Sequence, residues 1–166
     1  CLVASNVSMF GEDVILFRMD YGIGMSVFKN NDFIKAPGML EIGNTLARME
    51  NQEIQSLNNI ATISAIENKS GRSIQEISKD TVEENKILQE AATSLAMAIA
   101  NAAILFDVPT ILLSGKLMEQ APAILEEVEK SLKKYLSTKV KIFKYDEKRA
   151  ASGAAWIAVE RLLTTF

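Results

Sequence analysis

Histidine is absent from this chain, and cysteine occurs once, as Cys1. Without imidazole there is no His-based activation of a nucleophile and no zinc site that needs a ring nitrogen, which leaves Asp, Glu, Lys, Tyr and Ser for chemistry. A lone cysteine forms no internal disulfide, and the composition fits a reducing cytoplasm. Positive charge is not in excess: the formal net charge is -3 and the pI about 5.1. General affinity for DNA or RNA needs clustered Lys and Arg that displace counterions, so it is not expected of this chain. Long hydrophobic runs are also missing. The longest, Leu95 to Phe106, is interrupted by Asn101 and is too short to cross a bilayer. The first residues lack a basic region followed by an apolar one, so no signal peptide is expected, and an opening on Cys rather than Met is expected of a chain cut from a longer protein. With only three prolines and 48% hydrophobic residues the composition is globular, and 166 residues suffice for one domain, 1–166, with a real core.

What is present centres on the stretch from Asp20 to Asn44. Gly22 and Gly24 stand one residue apart, where they permit positive φ, a close ligand approach, or a bulge or tight reversal between two strands. Asp13 to Met19 is rich in Val, Ile, Leu and Phe and predicts a buried strand. Gly24 to Lys29 predicts a second, and Asn30-Asn31-Asp32 is turn chemistry leading to a third at Phe33 to Lys35. Short connections make these an antiparallel meander, ended by Pro37-Gly38.

From Glu50 the period changes. Ile54, Leu57, Ile60, Ala61 and Ser64 fall at helical spacing, with Lys69-Ser70-Gly71 as a stop, and Ser73 to Ser78 predicts a short helix. Asp80 with Glu83 resembles a capping box for a long alanine-studded helix to Phe106, roughly 39 Å at about 1.5 Å per residue. Thr110 to Ser114 predicts a buried strand, Pro122 the first turn of a helix to Leu136, Lys139 to Tyr145 a strand near an edge, and Glu147 to Leu163 a last helix. Residues 1 to 9 read as the end of a helix closed by Gly11. The second half therefore runs strand, helix, strand, helix, which favours a parallel pair with a right-handed crossover.

Four motifs in order carry a resemblance across nearly the whole chain. Asp20-Tyr21-Gly22-Ile23-Gly24 resembles the Gly-Thr-Gly-Ile-Gly phosphate loop of the ROK family, sugar kinases and sugar-responsive repressors. Glu41-Ile42-Gly43-Asn44 resembles that family's Glu-Ile-Gly-His, Pro109 to Gly115 its adenosine segment, and Ser152-Gly153-Ala154-Ala155 its C-terminal Gly-Ala-Ala. The resemblance implies an α/β fold, one actin-like ATPase (ribonuclease H-like) lobe: an antiparallel three-strand meander, then helices, then a parallel strand-helix-strand-helix unit.

It also implies roles. Glu41 corresponds to a sugar-contacting glutamate, Asn44 stands where a zinc-binding histidine is found, and Asn58 replaces a second sugar-contacting glutamate. No cysteine follows to complete a zinc site, so no metal is expected. On the nucleotide side, Gly22, Gly24, Ser114, Gly115 and Lys116 correspond to a vestigial phosphate and adenosine site. Asp20 brings a carboxylate that repels phosphate unless a metal lies between them, and Tyr21 adds bulk. The family's catalytic base falls just before Cys1, so no catalytic residue is expected here. The expected function is the sugar-sensing, dimerising half of a cytoplasmic ROK-type transcriptional regulator, its ligand a sugar or sugar phosphate. DNA would be contacted only through a part outside this chain, with no cofactor and no membrane. The alternative is the C-terminal lobe of a zinc-free, ATP- and Mg-dependent sugar kinase. A third possibility is a scaffold that keeps only oligomerisation.

Overall fold

The computed structural model describes residues 13–30, 32–34, 41–49, 51–82, 85–136 and 141–144. Its main sheet has five strands: β1 (Val14–Met19), β2 (Ile23–Lys29), β3 (Asp32–Phe33), β6 (Thr110–Ser114) and β7 (Lys141–Lys144), in the order β3-β2-β1-β6-β7. β1 pairs antiparallel with β2 and parallel with β6, and β6 pairs parallel with β7. The meander and the parallel pair predicted from patterning are both present. β7 lies at an edge, its two lysines exposed.

Strand β1 is central because it is apolar on both faces. Ile15, Phe17 and Met19 enter the main core beside Ile111 and Leu113, while Val14, Leu16 and Leu112 form a second cluster with Phe28 and Phe33. The latter two rings meet edge to face at 5.1 Å.

Helices α1 (Leu57–Ala61), α2 (Ile63–Ser70), α3 (Ile74–Ile77), α4 (Lys86–Phe106), α5 (Lys116–Gln120) and α6 (Pro122–Tyr135) complete the described elements. α4 buries Leu88, Ala91, Ala92, Leu95, Ala96, Ile99, Ala102 and Ala103, mostly small side chains that let it pack closely on α6 and α1. Its length and apolarity suffice to cross a membrane, but half of its apolar window is buried inside this domain, as befits a core helix. Lys29 Nζ donates to the carbonyls of Phe106 (2.6 Å) and Asp107 (3.2 Å), placing a cation at the negative end of α4. Pro122 sits in the first turn of α6, as predicted.

Three expectations are corrected. Ile54 does not begin a helix: Ile54–Ser56 is strand β5, paired antiparallel with β4 (Leu46–Arg48) around a turn in which Gln52 takes φ 71°. The helix starts at Leu57 and breaks at Thr62, whose hydroxyl accepts from Ala65 N at 3.2 Å and so caps a second helix, α2. Nor does Asp80 cap the long helix. Asn85 does, its Oδ1 accepting from the Ile87 and Leu88 amides, while the Asp80 carboxylate is held by Arg72 at 2.7 and 3.1 Å and by Asn85 Nδ2 at 2.7 Å. The helix is accordingly 21 residues long. Helix α5 was not expected at all; it follows directly on Gly115. The expected helices at 1 to 9 and 147 to 163, and the capping role of Glu83, lie outside the described residues.

Candidate functional site

The glycine hairpin is a three-residue loop, Asp20 to Gly22, between β1 and β2, and its ends are anchored. The Asp20 carbonyl accepts from Ile63 N at 3.0 Å, which ties the loop to the start of α2. The Asp20 carboxylate accepts from Lys116 N at 2.5 Å and pairs with Arg18 Nε at 2.8 Å. This carboxylate thus occupies the first amide of α5 and is paired with a guanidinium near the end of β1. Lys116 turns its ammonium over the Tyr21 ring, 5.8 Å from the centroid. Arg18 is the residue that sequence reading missed. Two residues apart at a strand end, it and Asp20 share a face.

The remaining residues of the nucleotide set separate by environment. Ser114 is buried, and its hydroxyl donates to the Phe17 carbonyl at 3.2 Å, so it supports the sheet. Gly115 has φ 111° and is pressed against Met19, which no side chain would allow. Gly22 and Gly24 differ: neither takes positive φ, and the space beside both is open. Ser152, Gly153 and Ala154 fall outside the described residues.

Glu41, Asn44 and Asn58 are brought together. Glu41 precedes a single 3-10 turn, Ile42–Asn44, which folds Asn44 back so that its Nδ2 donates to Glu41 Oε2 at 2.5 Å. Asn44 Oδ1 accepts from Asn58 Nδ2 at 3.3 Å, and Asn58 Oδ1 accepts from the Ile23 amide at 3.0 Å. Asn58 is on α1, placed there by the Leu57 N to Thr45 O bond of 2.8 Å. Gly43 is buried against the Asn58 side chain; a Cβ there would sit 2.6 Å from Cγ. This glycine was part of the motif, but its packing role had no sequence signal.

Beside Asn58 opens a polar cleft of about 730 Å³ lined by Tyr21, Gln55, Asn59, Thr62, Asn68 and Lys69 among others. Apart from Lys69, whose ammonium pairs with Glu90, its polar lining is of amides and hydroxyls that donate and accept without net charge, which suits a polyhydroxylated ligand. A second, apolar groove of about 530 Å³ runs between α4 and the β4–β5 hairpin, past Met25, Leu46, Met97 and Leu105. Among the described residues no three acidic or cysteine side chains converge to hold a metal ion.

Residues 8–161 match the model of the ROK family. No curated protein matches the chain. Among solved structures, the ROK hexokinase of Thermus thermophilus superposes with a TM-score of 0.77 at 16% identity, over 96% of this chain and 63% of that one. A ROK family protein of Streptococcus pneumoniae TIGR4, solved with sucrose, gives 0.73 at 20% identity, over 98% and 64%. A ROK family transcriptional regulator, a homolog of the E. coli MLC protein, gives 0.71 at 18% identity, over 93% and 48%. The chain thus spans less than two thirds of the length of each.

Proposed function

This chain belongs to the ROK family, and from that premise we propose that it is the sugar-sensing, dimerising C-terminal lobe of a ROK-type transcriptional regulator. The observation that carries the reading is the pairing of Asp20 with Lys116 N and Arg18. Phosphoryl transfer depends on a cradle of backbone amides and cations left open for the nucleotide. Here an internal carboxylate takes one amide and one cation. On the other side, Glu41 and Asn44 remain exposed, with Asn58 beneath them and the polar cleft alongside. They supply a carboxylate and amides for sugar hydroxyls without help from a metal. The proposal includes a homodimer acting in the cytoplasm, with DNA contacted through a part outside this chain and no cofactor.

One observation favours the kinase alternative, in which ATP and Mg bind: among the described residues nothing crowds Gly22 or Gly24. The deciding experiment is calorimetric titration of the intact parent protein with glucose, mannose, N-acetylglucosamine and their 6-phosphates, followed by an assay for ATP-dependent phosphorylation of each sugar. A regulator binds one of them and transfers nothing. Measured phosphoryl transfer overturns the regulator reading in favour of the kinase.

A further inference from the structure

The hydrogen-bond chain from Ile23 to Glu41 has a direction fixed at both ends. A backbone N–H only donates, so Asn58 must present Oδ1 to Ile23 (3.0 Å) and turn Nδ2 toward Asn44 (3.3 Å). A carboxylate only accepts, so Asn44 must present Nδ2 to Glu41 (2.5 Å), which leaves its Oδ1 for Asn58. Neither amide can flip without breaking a bond. On one side Gly43 is packed against Asn58 at a distance that excludes even a methyl group.

Ile23 lies between Gly22 and Gly24, at the point where the hairpin becomes β2. We infer that Asn58 is a positioning residue, a strut that couples the Glu41–Asn44 edge to the glycine hairpin. Hydrogen bonds in series polarise one another. A hydroxyl donating to the Glu41 carboxylate reduces its pull on the Asn44 amide, Asn44 Oδ1 becomes a different acceptor for Asn58, and the Ile23 bond responds. Occupancy of one motif is thereby felt in the other. The inference rests on the sugar reading for what engages Glu41; the strut itself needs no ligand.

The test is heteronuclear NMR of the intact protein, reading the chemical shift and hydrogen exchange of the Ile23 amide. Asn58→Ala is expected to speed exchange at Ile23 roughly tenfold, the scale of one lost hydrogen bond. Asn44→Ala is expected to shift the Ile23 resonance when Asn58 is present and to leave it unmoved in the Asn58→Ala background. An Ile23 amide indifferent to Asn44→Ala with Asn58 in place overturns the strut. Should Asn58→Ala not fold, Asn58→Asp keeps the acceptor for Ile23 but has no donor for Asn44. Ile23 then stays protected yet deaf to Asn44→Ala, and continued sensitivity in that background overturns the inference. With glucose as probe, the Ile23 resonance should move as the wild type saturates; a resonance unmoved at saturation overturns the coupling. No glucose binding, with the substitution cycle intact, removes the sugar reading and leaves the strut supported.

Discussion

A Cβ placed on Gly115 would overlap the carbonyl oxygen of Met19 and lie 2.7 Å from its amide nitrogen. The two backbones, paired in parallel up to Arg18 and Ser114, stay in contact where β1 ends and α5 begins, and the same contact brings Lys116 N to Asp20. Gly115→Ala therefore adds a backbone clash to the strain of φ 111°. The expected loss is about 3 kcal/mol or more. Urea unfolding reads it, and a loss below about 1 kcal/mol would mean that the contact is looser than described.

Gly22→Ala and Gly24→Ala should behave oppositely, because neither glycine takes positive φ and both Cβ atoms point into open space. The expected change in stability is within about 0.5 kcal/mol. If the parent protein is a kinase, Gly22→Val should abolish turnover with the melting curve unchanged.

Gly43→Ala forces the Asn58 side chain away from Ile23 and Asn44. The expected cost is about 1–2 kcal/mol, accompanied by loss of protection at the Ile23 amide. A fully protected Ile23 in this variant would contradict the packing described for Gly43.

Lys29→Met keeps most of the side-chain length but removes the cation from the carbonyls of Phe106 and Asp107. Its expected cost is about 1 kcal/mol at low ionic strength, shrinking as salt screens the helix end. Thermal unfolding at two salt concentrations separates this from a packing effect, which salt leaves alone.

The Asp80 carboxyl is held below the usual range by hydrogen bonds from Arg72 and then Asn85, and that of Glu76 by the Ser73 hydroxyl and amide, with Arg72 and Lys79 adding to the same direction. Both groups ionise more readily folded than unfolded. Their contribution is complete above the unfolded carboxylate pKa of about 4 and fades as pH falls below it toward the lower folded values. The Arg72 guanidinium, raised mainly by its bond to Asp80, stays charged throughout this window. Denaturant titrations from pH 6 to 2 should show a shallower acid limb for Asp80→Asn than for the wild type.

The strands of the main sheet were legible because Val, Ile, Leu and Phe run together between turn residues, as in Val14 to Phe17 and Ile111 to Leu113. The β4–β5 hairpin was not. It is only three residues long on each side, and Ile54, exposed in the fold, happens to sit at helical spacing from the buried Leu57, Ile60 and Ala61. Thr62 lies within that helical spacing, yet its hydroxyl ends one helix and caps the next. Glu41, Asn44 and Asn58 were legible only through likeness to a known motif; nothing local says that an Asn on α1 meets one in the preceding turn. Asp20 shows the limit most clearly. Its charge is visible in sequence, but its partner amide at Lys116, which ties the carboxylate to the start of α5, is not.

The topology of β1 also governs how this chain folds. Its pairing with β2, like that of β2 with β3, is local and can form within microseconds once those residues exist. Its other neighbour, β6, arrives only after four helices and a hairpin have been made. Until then the sheet carries an unpaired edge on a run of Val, Ile, Leu and Phe, the kind of edge that recruits strands from other molecules. Refolding should accordingly be limited by a late, long-range closure, and its yield should fall with rising protein concentration well before the native state itself shows any tendency to aggregate.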